Sequence, residues 1–230
     1  MPAKPRRPLR AGHVVVGLLL IIGLTQLLTF WLGARRPVEP ATWFAGAAAL
    51  ADPRAPTLGA ADADVVIYVF SDYACGNCRV LHPALRTLVA KDRGVRLVYR
   101  DWAILGPRST RAARLALASA AQGRHAAFDD ALMRRGGPLD EAALRAAAAS
   151  ARVDWRRLEI DAGGPPITRL LDATDRLARG LGFVGTPVLV VGPYLVNGRV
   201  SLARLRELVR DARRQGNAPS RGGALPKHSS

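Results

Sequence analysis

The chain has 230 residues, 49% of them hydrophobic, two cysteines and a net charge of +16. That length suits one well-cored domain with additional segments. Two cysteines leave none over for another bridge and no second pair to complete a four-thiolate metal cage. The charge does not mark nucleic-acid binding. Six of the 34 cations, and none of the 18 acids, fall in residues 1–36. The remaining cations are scattered along helical stretches among Asp and Glu, with no dense basic block interleaved with aromatics. They imply a mildly basic surface facing an anionic membrane or acidic clients.

Residues 1–11 form a basic tail, with Lys4, Arg6, Arg7 and Arg10. Residues 12–32 (GHVVVGLLLIIGLTQLLTFWL) are 21 positions without Lys, Arg, Asp or Glu. At about 1.5 Å per residue they span a hydrocarbon core of about 30 Å. Arg35 and Arg36 follow, and the positive-inside rule puts Met1 in the cytoplasm. The expectation is a single-pass signal-anchor in the cytoplasmic (inner) membrane, with the bulk of the chain on the periplasmic, extracytoplasmic side. A cleaved signal peptide is the competing reading. The apolar run exceeds the usual h-region of about 7–15 residues, and Leu32-Gly33-Ala34 is a poor cleavage site. Either reading exports the domain. Residues 33–62, with Pro37, Pro40, Pro53 and Pro56, read as a semi-extended linker with a helical turn or two around Thr42–Ala51.

The exported domain is expected over 63–214. Asp64–Phe70 (DVVIYVF) reads as a buried strand. Ser71–Ala74 breaks it, and a helical pattern then runs from Cys75, with Pro83 inside it as a kink. Val95–Arg100 is a second strand, and Asp101–Pro107 turns into a helical block over about 107–181. That block reads as helices at Ser109–Arg135, Leu139–Ala151, Asp154–Ala162 and Ile167–Leu181. Pro187–Val191 and Tyr194–Val196 follow as strands. Ser201–Arg214 is an amphipathic helix capped by Ser201, and 215–230 is a disordered tail. The order βαβ, helices, ββα predicts a four-stranded α/β sheet with a helical insertion.

The chemistry lies in Cys75-Gly76-Asn77-Cys78, at the junction of strand and helix. A lone Cys-x-x-Cys in that position is a redox motif. The unpartnered N–H groups and macrodipole of the helix N-terminus favour a thiolate at Cys75. Cys78 lies one turn deeper, so the pair is asymmetric: Cys75 is the exposed attacking sulfur and Cys78 resolves the mixed disulfide. A purely structural bridge would close almost no loop and stabilise little. Haem attachment needs His after the second Cys, where Arg79 stands. The four histidines show no zinc spacing with the cysteines, and no metal or other cofactor is expected. Cu(I) carriage by the two thiolates needs no further ligand and stands as a different function class. Thr186-Pro187, after Gly185, reads either as an ordinary strand-start proline or as a cis peptide. A cis bond would set the Thr186 backbone beside the cysteines, ready to pair with an extended substrate. Tyr73 and Phe183 read equally as lining of a client groove or as core.

Phe70–Cys78, His82-Pro83, Arg100–Gly106 and Gly185-Thr186-Pro187, in that order, resemble the exported DsbA-like thiol:disulfide oxidoreductases of the thioredoxin superfamily. The resemblance covers roughly residues 50–212 and implies a membrane-anchored thioredoxin fold with a helical insertion. It implies Cys75 as nucleophile, Cys78 as resolver, and Pro187 as a cis-proline preceded by Thr186. It also implies exported cysteine-containing proteins as clients and a DsbB-like or DsbD-like membrane redox partner. Two departures stand out. Gly76-Asn77 replaces the Pro-His of strong oxidants, which implies a less extreme oxidant. Val69 stands six residues before Cys75, where several members place a buried acid, and Asp72 is the nearest acid instead. A reductase or isomerase serving cytochrome or copper-protein maturation is the alternative within the same chemistry.

Overall fold

The computed structural model describes residues 21, 23–26, 39–40 and 50–216. The expected tail at 1–11, most of the expected anchor at 12–32, the turns expected around Thr42–Ala51 (except 50–51) and residues 217–230 lie outside them. The chain divides into residues 1–38 and residues 39–230. In the first unit, Ile21 and residues 23–26 are helical. Among the described residues, no helix is long and apolar enough to cross a membrane.

The second unit is built on a six-stranded sheet. Its strands are β1 (Glu39–Pro40), β2 (Thr57–Gly59), β3 (Val65–Ser71), β4 (Val95–Asp101), β5 (Val188–Val191) and β6 (Tyr194–Asn197). Their order across the sheet is β1-β6-β5-β3-β4-β2. β3 lies in the middle, parallel to β4 and antiparallel to β5, with Ile67 opposite both Leu97 and Val191. A strand covered on both faces needs a near-continuous apolar run, which VVIYVFS supplies. The four strands expected from the sequence form the centre of this sheet. The two edge strands come from the segment read as linker. β2 pairs antiparallel with β4, and β1 with β6. Leu50 and Ala55 are buried with them, so the domain begins before residue 63.

Helix α1 (Gly76–Lys91) continues through Pro83, burying Cys78, Leu81, His82, Leu85 and Leu88 along one side. The insertion holds α2 (Pro107–Ser119), α3 (His125–Arg134), α4 (Glu141–Ser150), α5 (Trp155–Gly163) and α6 (Pro165–Gly180). The single helix expected over Ser109–Arg135 is therefore two helices. A 3₁₀ turn at Ala120–Gln122 ends the first, and Gly123, at φ 67°, reverses the chain before the second. Side chains cap α4, α5 and the final helix. Asp140 accepts the Ala143 N–H at 2.8 Å, and Asp154 accepts the Arg157 N–H at 3.0 Å. Ser201 caps the final helix α7 (Leu202–Gly216) by accepting the Arg204 N–H at 3.2 Å. Each such cap stabilises by about 1 kcal/mol.

Among the described residues, two apolar clusters stand out. One joins Tyr73, Cys75 and Cys78 to the insertion through residues such as Leu115, Phe128 and Leu144. The other packs Leu50, Phe70, Trp102, Phe183 and Val188 together. The redox motif thus forms part of the core that joins the insertion to the sheet.

Candidate active site

β3 and β4 end side by side, and the loops leaving them build the site. The Trp102 N–H bonds the Ser71 carbonyl at 2.8 Å. Asp72, 1% exposed, then takes the Ala74 N–H on one carboxylate oxygen at 2.7 Å. Its other oxygen accepts the N–H groups of Ile104 at 2.8 Å and Leu105 at 3.0 Å. One side chain therefore fixes the turn before Cys75 and locks it to the loop after β4. Asp72 was noted in the sequence only as the nearest acid. An aspartate directly after a strand, accepting the N–H of the residue two positions on, is the local signal of such a turn.

Cys75 is the N-cap of α1. Its sulfur accepts the Cys78 N–H at 3.4 Å, satisfying one of the donors that a helix start leaves free. Its S–H meets the Thr186 carbonyl at 3.4 Å. The Thr186–Pro187 peptide is cis, the sharper of the two readings of that dipeptide. The four residues singled out from the sequence, Cys75, Cys78, Thr186 and Pro187, are brought together in one place, and both cysteines are free thiols. Cys75 is less open than expected. It is 8% exposed against 3% for Cys78, because Tyr73 and the Thr186 loop close around it. Burial pushes the Cys78 thiol up to about 12, and the adjacent Cys75 sulfur adds to the rise. Hydrogen bonding to the Asp72 backbone and to Thr186 offsets only part of this. A sulfur so placed holds its proton and is poorly suited to attack solvent species.

The Thr186 loop is delivered by the end of α6. The Phe183 N–H reaches back to the Ala178 carbonyl and the Gly182 N–H to the Arg179 carbonyl, both at 2.9 Å. This is a Schellman ending, and Gly182 supplies the left-handed residue it needs, at φ 73°. Phe183 then packs edge-on to Phe70, with centroids 5.0 Å apart. Tyr73 is therefore a core residue, whereas Phe183 is buried and also borders a cleft of about 280 Å³ with Val184, Thr186, Pro187, Leu195 and Asn197.

Behind the cysteines lies a polar cluster not anticipated from the sequence. The Tyr73 hydroxyl donates to Asp129 at 3.2 Å and approaches Asp101 at 3.5 Å. His82 stands 3.6 Å from Asp129 and 2.9 Å from Asp130. Burial pushes Asp129 up to about 6, opposed chiefly by His82, and holds Asp101 well above the usual carboxylate range. Asp129 shares the buried side of α3 with His125, Phe128 and Leu132, and an acid at that helical spacing was the available signal. Among the described residues, no group of three or more His, Cys, Asp or Glu side chains is arranged to hold a metal ion.

Residues 66–210 match the model of the DSBA-like thioredoxin domain. Among solved structures, the chain is 40% identical to a thioredoxin-like oxidoreductase from Silicibacter pomeroyi DSS-3, covering 74% of this chain and 99% of that one at a TM-score of 0.71. It is 27% identical to a periplasmic thioredoxin-like protein from Salmonella enterica serovar Typhimurium, covering 72% and 94% at a TM-score of 0.67. It is 25% identical to the thiol-disulfide exchange protein alpha-DsbA2 from Wolbachia pipientis, covering 71% and 89% at a TM-score of 0.68. No curated protein matches. A buried Cys-x-x-Cys on a thioredoxin-like sheet with a helical insertion, matched over most of that domain, places the chain in the DsbA-like family of protein thiol-disulfide oxidoreductases.

Proposed function

We propose that this protein exchanges disulfides with cysteine-containing exported proteins through Cys75, with Cys78 as the resolving thiol. The observation that carries the reading is the position of the Cys75 sulfur. It caps α1, receives the Cys78 N–H and faces the Thr186 carbonyl. Burial holds the Cys78 thiol protonated, which leaves Cys75 as the attacking sulfur.

In the oxidising direction, a client thiolate attacks Cys75 Sγ of the Cys75–Cys78 disulfide. The S–S bond breaks, and Cys78 leaves and takes up a proton. A second client thiolate then attacks the client sulfur of the mixed disulfide, and Cys75 leaves as the thiolate. The client gains one disulfide, and two electrons pass to the pair. The reducing direction is the reverse. Thr186 and Pro187 flank the sulfur, where the backbone of Thr186 can pair with an extended client. The domain works on the periplasmic side, held by residues 12–32 in the inner membrane. A DsbB-like or DsbD-like membrane partner resets the pair, and the identity of that partner sets the direction.

Cys78→Ala tests the mechanism. In cells it is expected to accumulate mixed disulfides with exported proteins on non-reducing gels, and Cys75→Ser is expected to accumulate none. Absence of any trapped species with Cys78→Ala would count against the exchange reaction. Tight stoichiometric Cu(I) binding without thiol oxidation or insulin reduction would replace it with a metal carrier. Thiol trapping of the wild-type pair in vivo reads the direction, mostly oxidised for an oxidase and mostly reduced for a reductase or isomerase.

A further inference from the structure

Arg79 follows Cys78 directly and stands one helical turn after Cys75, on the same side of α1. Helical side chains lean back toward the N-terminus, and this one does. Its Nε donates to the Tyr73 carbonyl at 2.9 Å, two residues before Cys75. Its Nη1 donates to the Gly137 carbonyl at 3.1 Å, in the loop joining α3 to α4 of the insertion. Both acceptors are neutral. Arg79 has no carboxylate partner among the described residues, whereas Arg86, Arg111, Arg134 and Arg213 all do. Its charge is therefore fixed in place by two backbone oxygens and not cancelled locally.

Among the described residues, the groups hydrogen-bonded to Cys75 and its loop supply no cation besides Arg79. From the Thr186 loop comes a carbonyl, from α1 the Cys78 N–H, and from the preceding loop Asp72, whose carboxylate is occupied by three backbone N–H groups. No acid lies in the first turn of α1.

We propose that Arg79 is a positioning residue for the redox pair: pinned between the Cys75 loop and the helical insertion, its unneutralised guanidinium favours the Cys75 thiolate and so makes the Cys75–Cys78 disulfide easier to reduce. The inference rests on the exchange reaction proposed above. With Gly76-Asn77 contributing no charge between the cysteines, Arg79 takes the role of fixed cation from outside the motif. Because it also holds Gly137, the insertion and the reactivity of the pair are linked through one side chain.

The test equilibrates the full chain with glutathione redox buffers, comparing wild type with Arg79→Gln and Arg79→Lys. Loss of a fixed charge placed one helical turn from the sulfur is worth about threefold to tenfold in the equilibrium constant. Tenfold corresponds to about 30 mV for a two-electron couple. Arg79→Gln is expected to shift the pair by that amount toward a harder-to-reduce disulfide, and Arg79→Lys to restore most of the shift. An unchanged constant in Arg79→Gln, or an equal shift in Arg79→Lys, would overturn the proposal. Should the Gln variant fail to fold, the Lys variant decides alone, and a tenfold shift there overturns it. A wild-type pair that does not equilibrate with glutathione at all would instead sink the exchange reaction itself.

Discussion

The carboxylate of Asp72 accepts the backbone N–H of Ile104 at 2.8 Å, joining the loop that carries the cysteines to the loop after the neighbouring strand. With Ala74 and Leu105 as further donors, one buried side chain satisfies three backbone groups. Asp72→Ala leaves these N–H groups without an acceptor in a closed site. The expected loss is about 2–4 kcal/mol of unfolding free energy, since charge-assisted bonds are the strong ones and orphaned donors carry their desolvation cost. Asp72→Asn keeps one acceptor oxygen and should lose less. Urea denaturation of both variants checks the ranking, and exchange activity should fall in the same order.

Cys78 provides a pH test. Its folded thiol binds a proton more tightly than a thiol in the unfolded chain, at about 12 against an ordinary value of about 8.5. A group raised in this way contributes stability that is fully present below the unfolded value and is lost as pH rises toward the folded one. The reduced protein should therefore lose stability above about pH 8.5, by up to about 1.4 kcal/mol per pH unit. The disulfide form has no thiol to titrate and should show no such slope, nor should reduced Cys78→Ala. Unfolding curves of both redox forms between pH 7.5 and 10 separate these outcomes. Identical slopes in the two forms would refute the assignment.

The site was legible in the sequence where chemistry is local. A β-rich run ending just before Cys75-Gly76-Asn77-Cys78 fixes which helix end the sulfur occupies, and Gly185-Thr186-Pro187 marks the loop that meets it. What stayed hidden depends on distant segments meeting. Thr57–Gly59 is three residues long, too short to show a period, and becomes a strand only because the β4 edge is there to pair with it. Gly123 splits an Ala-rich helical stretch, and glycine inside a helical pattern is tolerated often enough to be passed over. The Tyr73–Asp129 contact joins residues 56 positions apart, and the Arg79–Gly137 contact residues 58 apart, so neither has a local signature.

His125 is buried at the start of α3, its ring tilted 57° against Tyr99 with centroids 4.8 Å apart, and among the described residues neither ring nitrogen has a hydrogen-bond partner. Burial, helped by the Arg86 charge, depresses it to about 3. A histidine held neutral in this way contributes stability present above its unfolded value of about 6.5 and lost as pH falls toward 3. His125→Phe keeps the ring contact and removes both unsatisfied nitrogens. The variant should be as stable as wild type or more so at pH 7, and its acid limb should be shallower between pH 6 and 4. Asp129 acts in the opposite sense over about pH 4 to 6, so the comparison is between variant and wild type at each pH rather than along one curve. Melting temperatures across that range would expose an error, since an equally steep limb in His125→Phe places the acid sensitivity elsewhere.

Gly59 tests whether the segment before residue 63 belongs to the folded domain. It sits at φ 112°, and a Cβ there would lie 2.4 Å from the Val95 carbonyl oxygen and 3.0 Å from Arg96 Cα. Both obstacles are backbone of β4, which is held by β3 along seven paired positions and cannot yield cheaply. Gly59→Ala therefore has to break the β2–β4 pairing or strain the chain, at a cost of about 1–3 kcal/mol. Loss of β2 is also expected to loosen the buried Leu50 and Ala55 that precede it. The expected result is lower stability together with faster proteolysis between residues 50 and 62, with the Cys75–Cys78 pair still able to exchange. Unchanged stability and unchanged cleavage would mean that the segment behaves as the tether its proline content first suggested.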